Sequence, residues 1–399
     1  MKLKIRKSYT LLAFTIFISE NCFYLFEDDI YKDIGLVIIL AWSLWTMIKL
    51  KNEKNPPFRF GICILFTLVL MLTSSLQSSL LYNQSILLGI RPQRYWITWA
   101  MSYFPLRKLM YLDYITFDDL KGLLYKIGIL ELILYTGQYL LAEKIVFLHV
   151  HSYSTYSTSR FYFSNVLLCL VLFMRLNDIF NKQNVKRNIF FIAWIILDII
   201  QIGKMRMTFI AVSTAILLGI IMWRRGGNYK ILSVFVIAIG IGLVSSSEVV
   251  QSILPALNGT GRSDTLEIRE IGRNFYLDVI RNHPILGGGY INTQWEPAYI
   301  ASRQSEGITW VVNGIFGFMY FYGGIGLAWV MVLFGKTLSL GRRVKNNMNE
   351  YAYLLTPIYW LVAMVSEAHW YFISFMVFVL LICLMEDRLD KYDLERTYG

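Results

Sequence analysis

The stretch Phe60–Leu80, FGICILFTLVLMLTSSLQSSL, contains no charged residue and follows directly on Lys49, Lys51, Lys54 and Arg59. A helix rises about 1.5 Å per residue, so about 20 mostly apolar residues cross a hydrocarbon core of ~30 Å. This run is long enough, and its polar members are only Ser, Thr and Gln. Similar runs recur along all 399 residues, of which 56% are hydrophobic and 16% charged, with a mean hydropathy of +0.49. That apolar share exceeds the ~45–50% of ordinary soluble domains, so the expectation is one polytopic all-α membrane domain covering 1–399.

The expected spans in the first half are Tyr9–Phe26, Ile34–Leu50, Phe60–Leu80, Tyr95–Leu112, Leu120–Ala142 and Tyr162–Phe180. In the second half they are Asn188–Gly203, Met205–Trp223, Tyr229–Ser247, Trp310–Leu338, Tyr351–Glu367 and Trp370–Met385. They make about twelve transmembrane helices. The basic amino terminus resembles a secretory signal, but no small-residue cleavage site follows, and the segment reads as a retained first span.

The net charge of +11 would suggest a nucleic-acid partner in a soluble protein. Here the basic residues fall in alternate short connections, from Lys2, Lys4, Arg6 and Lys7 through Arg107 and Lys108 to Arg388, Lys391 and Arg396. That is a topology signal, which excludes nucleic acid and places both termini in the cytoplasm. The opposite connections are external, and two are long: 143–161 and 248–309. The four cysteines, Cys22, Cys63, Cys169 and Cys383, lie inside apolar runs and imply neither disulfides nor zinc. No cofactor or metal is expected; Glu27, Asp28 and Asp29 read as a solvated loop rather than a cation site.

The longer loop carries five arginines, Arg262, Arg269, Arg273, Arg281 and Arg303, and no lysine. Arginine's planar fork matches phosphate oxygens in pairs, and basic residues outside the membrane work against the topology rule. Asp264 and Glu267 resemble a capping box that opens a helix ending at Asn282-His283-Pro284. On that amphipathic helix Ile268, Ile271, Phe275 and Val279 share one face, and Arg262, Arg269 and Arg273 the other. The apolar face would lie either on the bundle or on membrane lipid, with the arginines aimed at a cavity or at headgroups. The run His283-Pro284-Ile285-Leu286-Gly287-Gly288-Gly289 then suits a tight turn or an anion-cradling backbone. Lys204 and Arg206 occupy the short outer connection before the eighth span, either facing the bundle interior or snorkelling. The histidines, His149, His151, His283 and His369, all fall outside, and Tyr153, Tyr156 and Phe161 in the shorter loop would stack on sugars or line the interface.

The order of these features resembles the bacterial O-antigen polymerase and O-antigen ligase superfamily. The resemblance is carried by Gly261-Arg262, the helix that follows, the His283–Gly289 run, Asn313, and Gly323-Gly324-Ile325-Gly326, with Lys204 and Arg206 at the place of the family's arginine. It implies an enzyme in the bacterial cytoplasmic membrane whose donor is an oligosaccharide on undecaprenyl diphosphate, so that no nucleotide cofactor is needed. It also implies a flippase and a chain-length regulator as partner candidates. Ligases of the superfamily resemble one another in a His-Asn pair before Gly-x-x-Gly; this chain has Val312 where that histidine would stand, which favours the polymerase. On this reading Arg206 and Arg273 act at the reacting diphosphate, with His283 and Glu306 as candidate proton acceptors. Lys204, Arg262, Arg269, Arg281 and Arg303 bind substrate. The alternatives are a ligase, or a glycolipid flippase or exporter using the intramembrane acids Glu20, Glu131 and Asp198.

Overall fold

The computed structural model describes residues 2–27, 30–141, 144–150, 152–155, 158–203, 205–223, 263–303, 306, 308, 310–365 and 375–398. The described chain is helical apart from one antiparallel hairpin, in which Ser152 pairs with Phe161 and Thr155 with Thr158. In chain order the helices are α1 (Lys2–Ser19), α2 (Ile30–Lys49), α3 (Gly61–Tyr82), α4 (Ile86–Ile90), α5 (Arg94–Tyr111) and α6 (Phe117–Leu141). After the hairpin come α7 (Val166–Phe180), α8 (Val185–Leu197), which continues as a π turn over Asp198–Ile202, and α9 (Arg206–Met222). The last are α10 (Ser263–Asn282), α11 (Glu296–Ala301), α12 (Gly314–Met348), α13 (Ala352–Ala363) and α14 (Phe375–Tyr398).

Each expected span that falls on described residues carries a helix. The ninth, Tyr229–Ser247, lies outside them, as do Asp28, Asp29, His151, Lys204, Gly261, Arg262 and His369. Among the described residues three helices, α2, α3 and α12, are long and apolar enough to cross a membrane. Helix α3 has the clearest pattern: it buries Thr67, Ser74, Ser75 and Ser78 while Ile62, Leu65, Val69, Leu72, Leu76 and Leu80 point outward. That stripe recurs every three or four residues, so it is one helical face, and its polarity is the reverse of a water-soluble helix. A face of this kind is stable only against an apolar surround.

Two helices form the interior. Helix α5 packs against α2, α3 and α14 and buries Trp96, Trp99 and Tyr103 completely. It continues through Pro105 without a break. Helix α7 packs against α6, α8 and α13 and is buried on nearly every side, its polar Arg175, Asn177 and Asp178 included. The connection after α3, expected as a plain external loop, instead holds α4 and a 3-10 turn over Arg91–Gln93, with Ser85 capping Leu88 N–H.

Arg107, counted in the sequence among loose topology signals, is instead fully buried. It bonds Glu386 at 2.7 Å and also Asp390, and Arg59 joins the group through Asp390 at 2.6 Å. Tyr103 donates to Glu386 at 2.9 Å and the Phe60 N–H donates to it at 3.1 Å. Charge here binds the ends of α3, α5 and α14 together, and the topology signal is also a structural clamp.

Candidate functional site

The arginine-rich helix exists as expected: α10 begins at Ser263 and ends before the His283-Pro284 pair. Its packed face differs from the expected one. Gly272, Phe275, Tyr276 and Val279 turn toward the protein, whereas Ile268 and Ile271 at its start are exposed. The rotation follows from a close approach: a Cβ on Gly272 would stand 3.0 Å from the Asn313 side chain and 3.1 Å from that of Ile308. The glycine lets the backbone of α10 sit close on the segment that opens α12, and Tyr276 then packs on Tyr320 with ring centroids 4.9 Å apart.

Beyond α10 the run Pro284–Gly289 enters a break in α12. Gly323 has φ +58°, which splits α12 and leaves backbone groups on both sides without helical partners. The inserted segment supplies them. Gly288 N–H donates to Tyr320 O at 2.7 Å, while Gly324 N–H donates to Pro284 O at 2.8 Å and Ile325 N–H to Ile285 O at 3.2 Å. Ser74 Oγ on α3 donates to Phe321 O at 2.8 Å, and Ser74 O in turn accepts from Tyr290 N–H at 3.1 Å. Gln84 extends the suture, donating to Tyr290 O at 3.0 Å and accepting from Asn292 N–H at 2.8 Å. The glycine run is therefore a plug. With the N–H groups of Gly287 and Gly288 both donated to carbonyls, it does not form the anion cradle that the sequence left open.

Arg269 and Arg273 lie one turn apart on the outer surface of α10, both exposed. Arg273 meets Glu270 only at 3.9 Å, a loose contact that a phosphate displaces easily. No carboxylate contacts Arg269 among the described residues. Arg206 opens α9; its side chain lies outside what is described, like the whole of Lys204 and Arg262.

No protein-family model, curated protein or solved structure matches this chain.

The remaining expected site residues separate into two groups. Arg303, itself at φ +56°, stands over the Phe275 ring at 5.8 Å and bonds Glu306 through both prongs of its fork, one of them at 2.9 Å. The fork assigned to substrate is thus occupied, and the carboxylate assigned as proton acceptor is held by a cation. Arg281 pairs with Asp278 at 3.1 Å, and His283 follows at the end of α10. Ten residues of helix separate His283 from Arg273, about 15 Å along the axis, so those two do not form one constellation.

The hydrogen bond to Arg303 holds the Glu306 carboxyl below its ordinary range. A folded-state value below the unfolded one means that the pair contributes above the ordinary carboxylate range and is lost as pH falls through the depressed value. Carboxyl-carbon NMR on glutamate-labelled protein should therefore place Glu306 below the other exposed glutamates, and Arg303→Gln should return it to them. An unmoved titration would remove the pair. The three-residue spacing is the one trace of this pairing in the sequence; the glycine plug left none, because it depends on a chain reversal between distant segments.

Proposed function

We propose that this chain is a membrane glycosyltransferase of the polymerase type, acting at the outer face of a bacterial cytoplasmic membrane. It has about twelve spans with both termini inside. Its substrates are oligosaccharide units on undecaprenyl diphosphate. The observation that carries this reading is α10. A helix bearing Arg269 and Arg273 is fixed to the bundle by its own glycine plug, and both guanidinium groups stay exposed. Rigid placement of planar cations suits a diphosphate leaving group, whose charge grows as the sugar–phosphate bond breaks.

In the reaction the acceptor hydroxyl oxygen attacks the anomeric carbon of the donor. The bond from that carbon to the diphosphate oxygen breaks, the lipid diphosphate leaves with the bonding electrons, and the hydroxyl proton passes to that diphosphate or to water. Arg269 and Arg273 hold the departing charge, with Arg206 and Arg262 on the same duty. The Arg303 pairing disfavours Glu306 as the proton acceptor, and its distance along α10 separates His283 from Arg273. Val312 argues against a ligase. A flippase or exporter is a second reading, favoured by one observation, the burial of Glu20, Glu131 and Asp198.

Deleting the gene tests the choice. Single lipid-linked units displayed outside without long chains support the polymerase; long chains left on the lipid diphosphate indicate a ligase, and units trapped inside an exporter. Complementation with Arg273→Lys keeps the charge and loses the fork, and is expected to lower polymer yield by about tenfold. Wild-type chain lengths from that variant, at equal membrane abundance, would remove Arg273 from the site.

A further inference from the structure

Three carboxylates from three elements are buried inside the bundle. Glu20 follows α1, Glu131 lies in the middle of α6, and Asp198 opens the π turn after α8; all are at most 1% exposed. Helix α6 packs directly on the π turn. The Tyr24 and Tyr135 rings meet, which brings the segment of Glu20 against α6 as well. Both oxygens of Glu20, of Glu131 and of Asp198 have no hydrogen-bond partner among the described residues.

A second, independent feature points into the same place. The Tyr135 hydroxyl, one turn from Glu131 on α6, is fully buried and has no partner, and it lies within reach of the charge on all three acids. Its ring is fixed from both sides: it stacks on Phe163 at 3.9 Å and meets Tyr24 edge-on at 6.3 Å. Tyr24 is anchored in turn, its hydroxyl accepting from Ser164 N–H at 2.9 Å. A donor is therefore held rigidly among acceptors without being used.

The groups that face the cluster are Glu20 and Tyr24 after α1, Glu131 and Tyr135 on α6, Ser164 and Asn165 before α7, and Asp198 in the π turn. Among the described residues none of them is a cation. An ionised carboxylate buried without one is unfavourable by several kcal/mol in general, and such groups take a proton or a cation instead. Among the described residues the acids are not gathered at the spacing a metal ion requires. π turns of one or two windings recur at working sites because they widen a helix and free its backbone, and here Gly203 N–H closes the turn on Asp198 O at 3.0 Å. Nothing in the glycosyl-transfer reading uses these residues.

We propose that Glu20, Glu131, Asp198 and Tyr135 form a reversible proton-binding site inside the helical bundle. Its ligand is the proton itself, shared among the three carboxyl groups with Tyr135 as a neighbouring hydroxyl donor. The site is independent of the polymerase assignment and stands whether or not that reaction is found.

The test is infrared spectroscopy of the purified full chain in a maltoside detergent, which has no ester carbonyl, read at the protonated-carboxyl stretch. Wild-type protein at neutral pH is expected to show this band. The band should vanish on alkalinisation and return on neutralisation. Glu131→Gln and Asp198→Asn copy the protonated side chains in shape, so they should keep the size-exclusion profile, and each should lose one carboxyl's share of the band. Four outcomes overturn the proposal: no band at neutral pH, a band unchanged in both variants, a band that never titrates while the protein stays folded, or a band displaced by sodium chloride at constant pH, which would mean a metal-cation site.

Discussion

Gly289→Ala is expected to prevent folding of most of the expressed protein. Gly289 has φ +78°, and a Cβ there would stand 2.6 Å from Ser74 O and closer still to Ser78 N, both backbone atoms of α3. Backbone cannot swing aside as a side chain does, so steric overlap and left-handed strain act together. The combined loss is about 3–5 kcal/mol, comparable with the whole stability margin of many domains. Gly323→Ala should do the same from the opposite side of the plug, where a Cβ would meet Gly287 N at 2.5 Å and Ile285 C at 2.6 Å. The control is built into the same helix. Gly335 on α12 is exposed with nothing within 4 Å of its Cβ position, so Gly335→Ala should be neutral or stabilising by about 0.5–1 kcal/mol. Fluorescence-detected size exclusion and thermal unfolding in detergent distinguish the cases. A Gly289→Ala protein that unfolds at the wild-type temperature would mean that the plug does not hold α12 to α3.

Arg107→Met should destabilise the ion clamp by about 3–5 kcal/mol, because removing one partner leaves the other charge buried and unpaired. Arg107 and Glu386 are both fully buried, 2.7 Å apart, and Asp390 retains only Arg59 once Arg107 is gone. The shape of the side chain is largely kept by methionine, so the loss is electrostatic rather than a cavity effect. Adding Glu386→Gln should recover part of it. The amide oxygen still accepts from Tyr103 and from Phe60 N–H, as the carboxylate does now, while the uncompensated charge is removed. Thermal unfolding of the wild type, the two single variants and the double variant forms a cycle whose coupling term reads the pair directly. Additive losses would show that Arg107 and Glu386 act independently.

The two predictions differ in how far the sequence alone would have led to them. Lys49 through Arg59 and Arg107 with Lys108 were visible as basic clusters at span ends, and that much followed from composition. That Arg107 is the buried centre of an ion network depends on α14 arriving from nearly the other end of the chain to place Glu386 and Asp390 beside it. Likewise Gly287 to Gly289 and Gly323 to Gly326 stood out as two glycine runs. Their relation as plug and socket required α10 to turn back against α12.

Periodicity and hydropathy determined the helices, because a 3.6-residue repeat and a run of about 20 apolar residues are local properties that survive any tertiary arrangement. They gave α3 and its lipid-suited face, the continuous α10, and the placement of Arg269 and Arg273 on one side of it. Tertiary structure decided which face of α10 packs, since the close approach at Gly272 outweighed the apolar moment of Ile268 and Ile271. It also gathered Glu20, Glu131 and Asp198 inside the bundle. Contacts of this kind are made between segments far apart in the chain. Their energies depend on burial and mutual distance, and no local pattern encodes either.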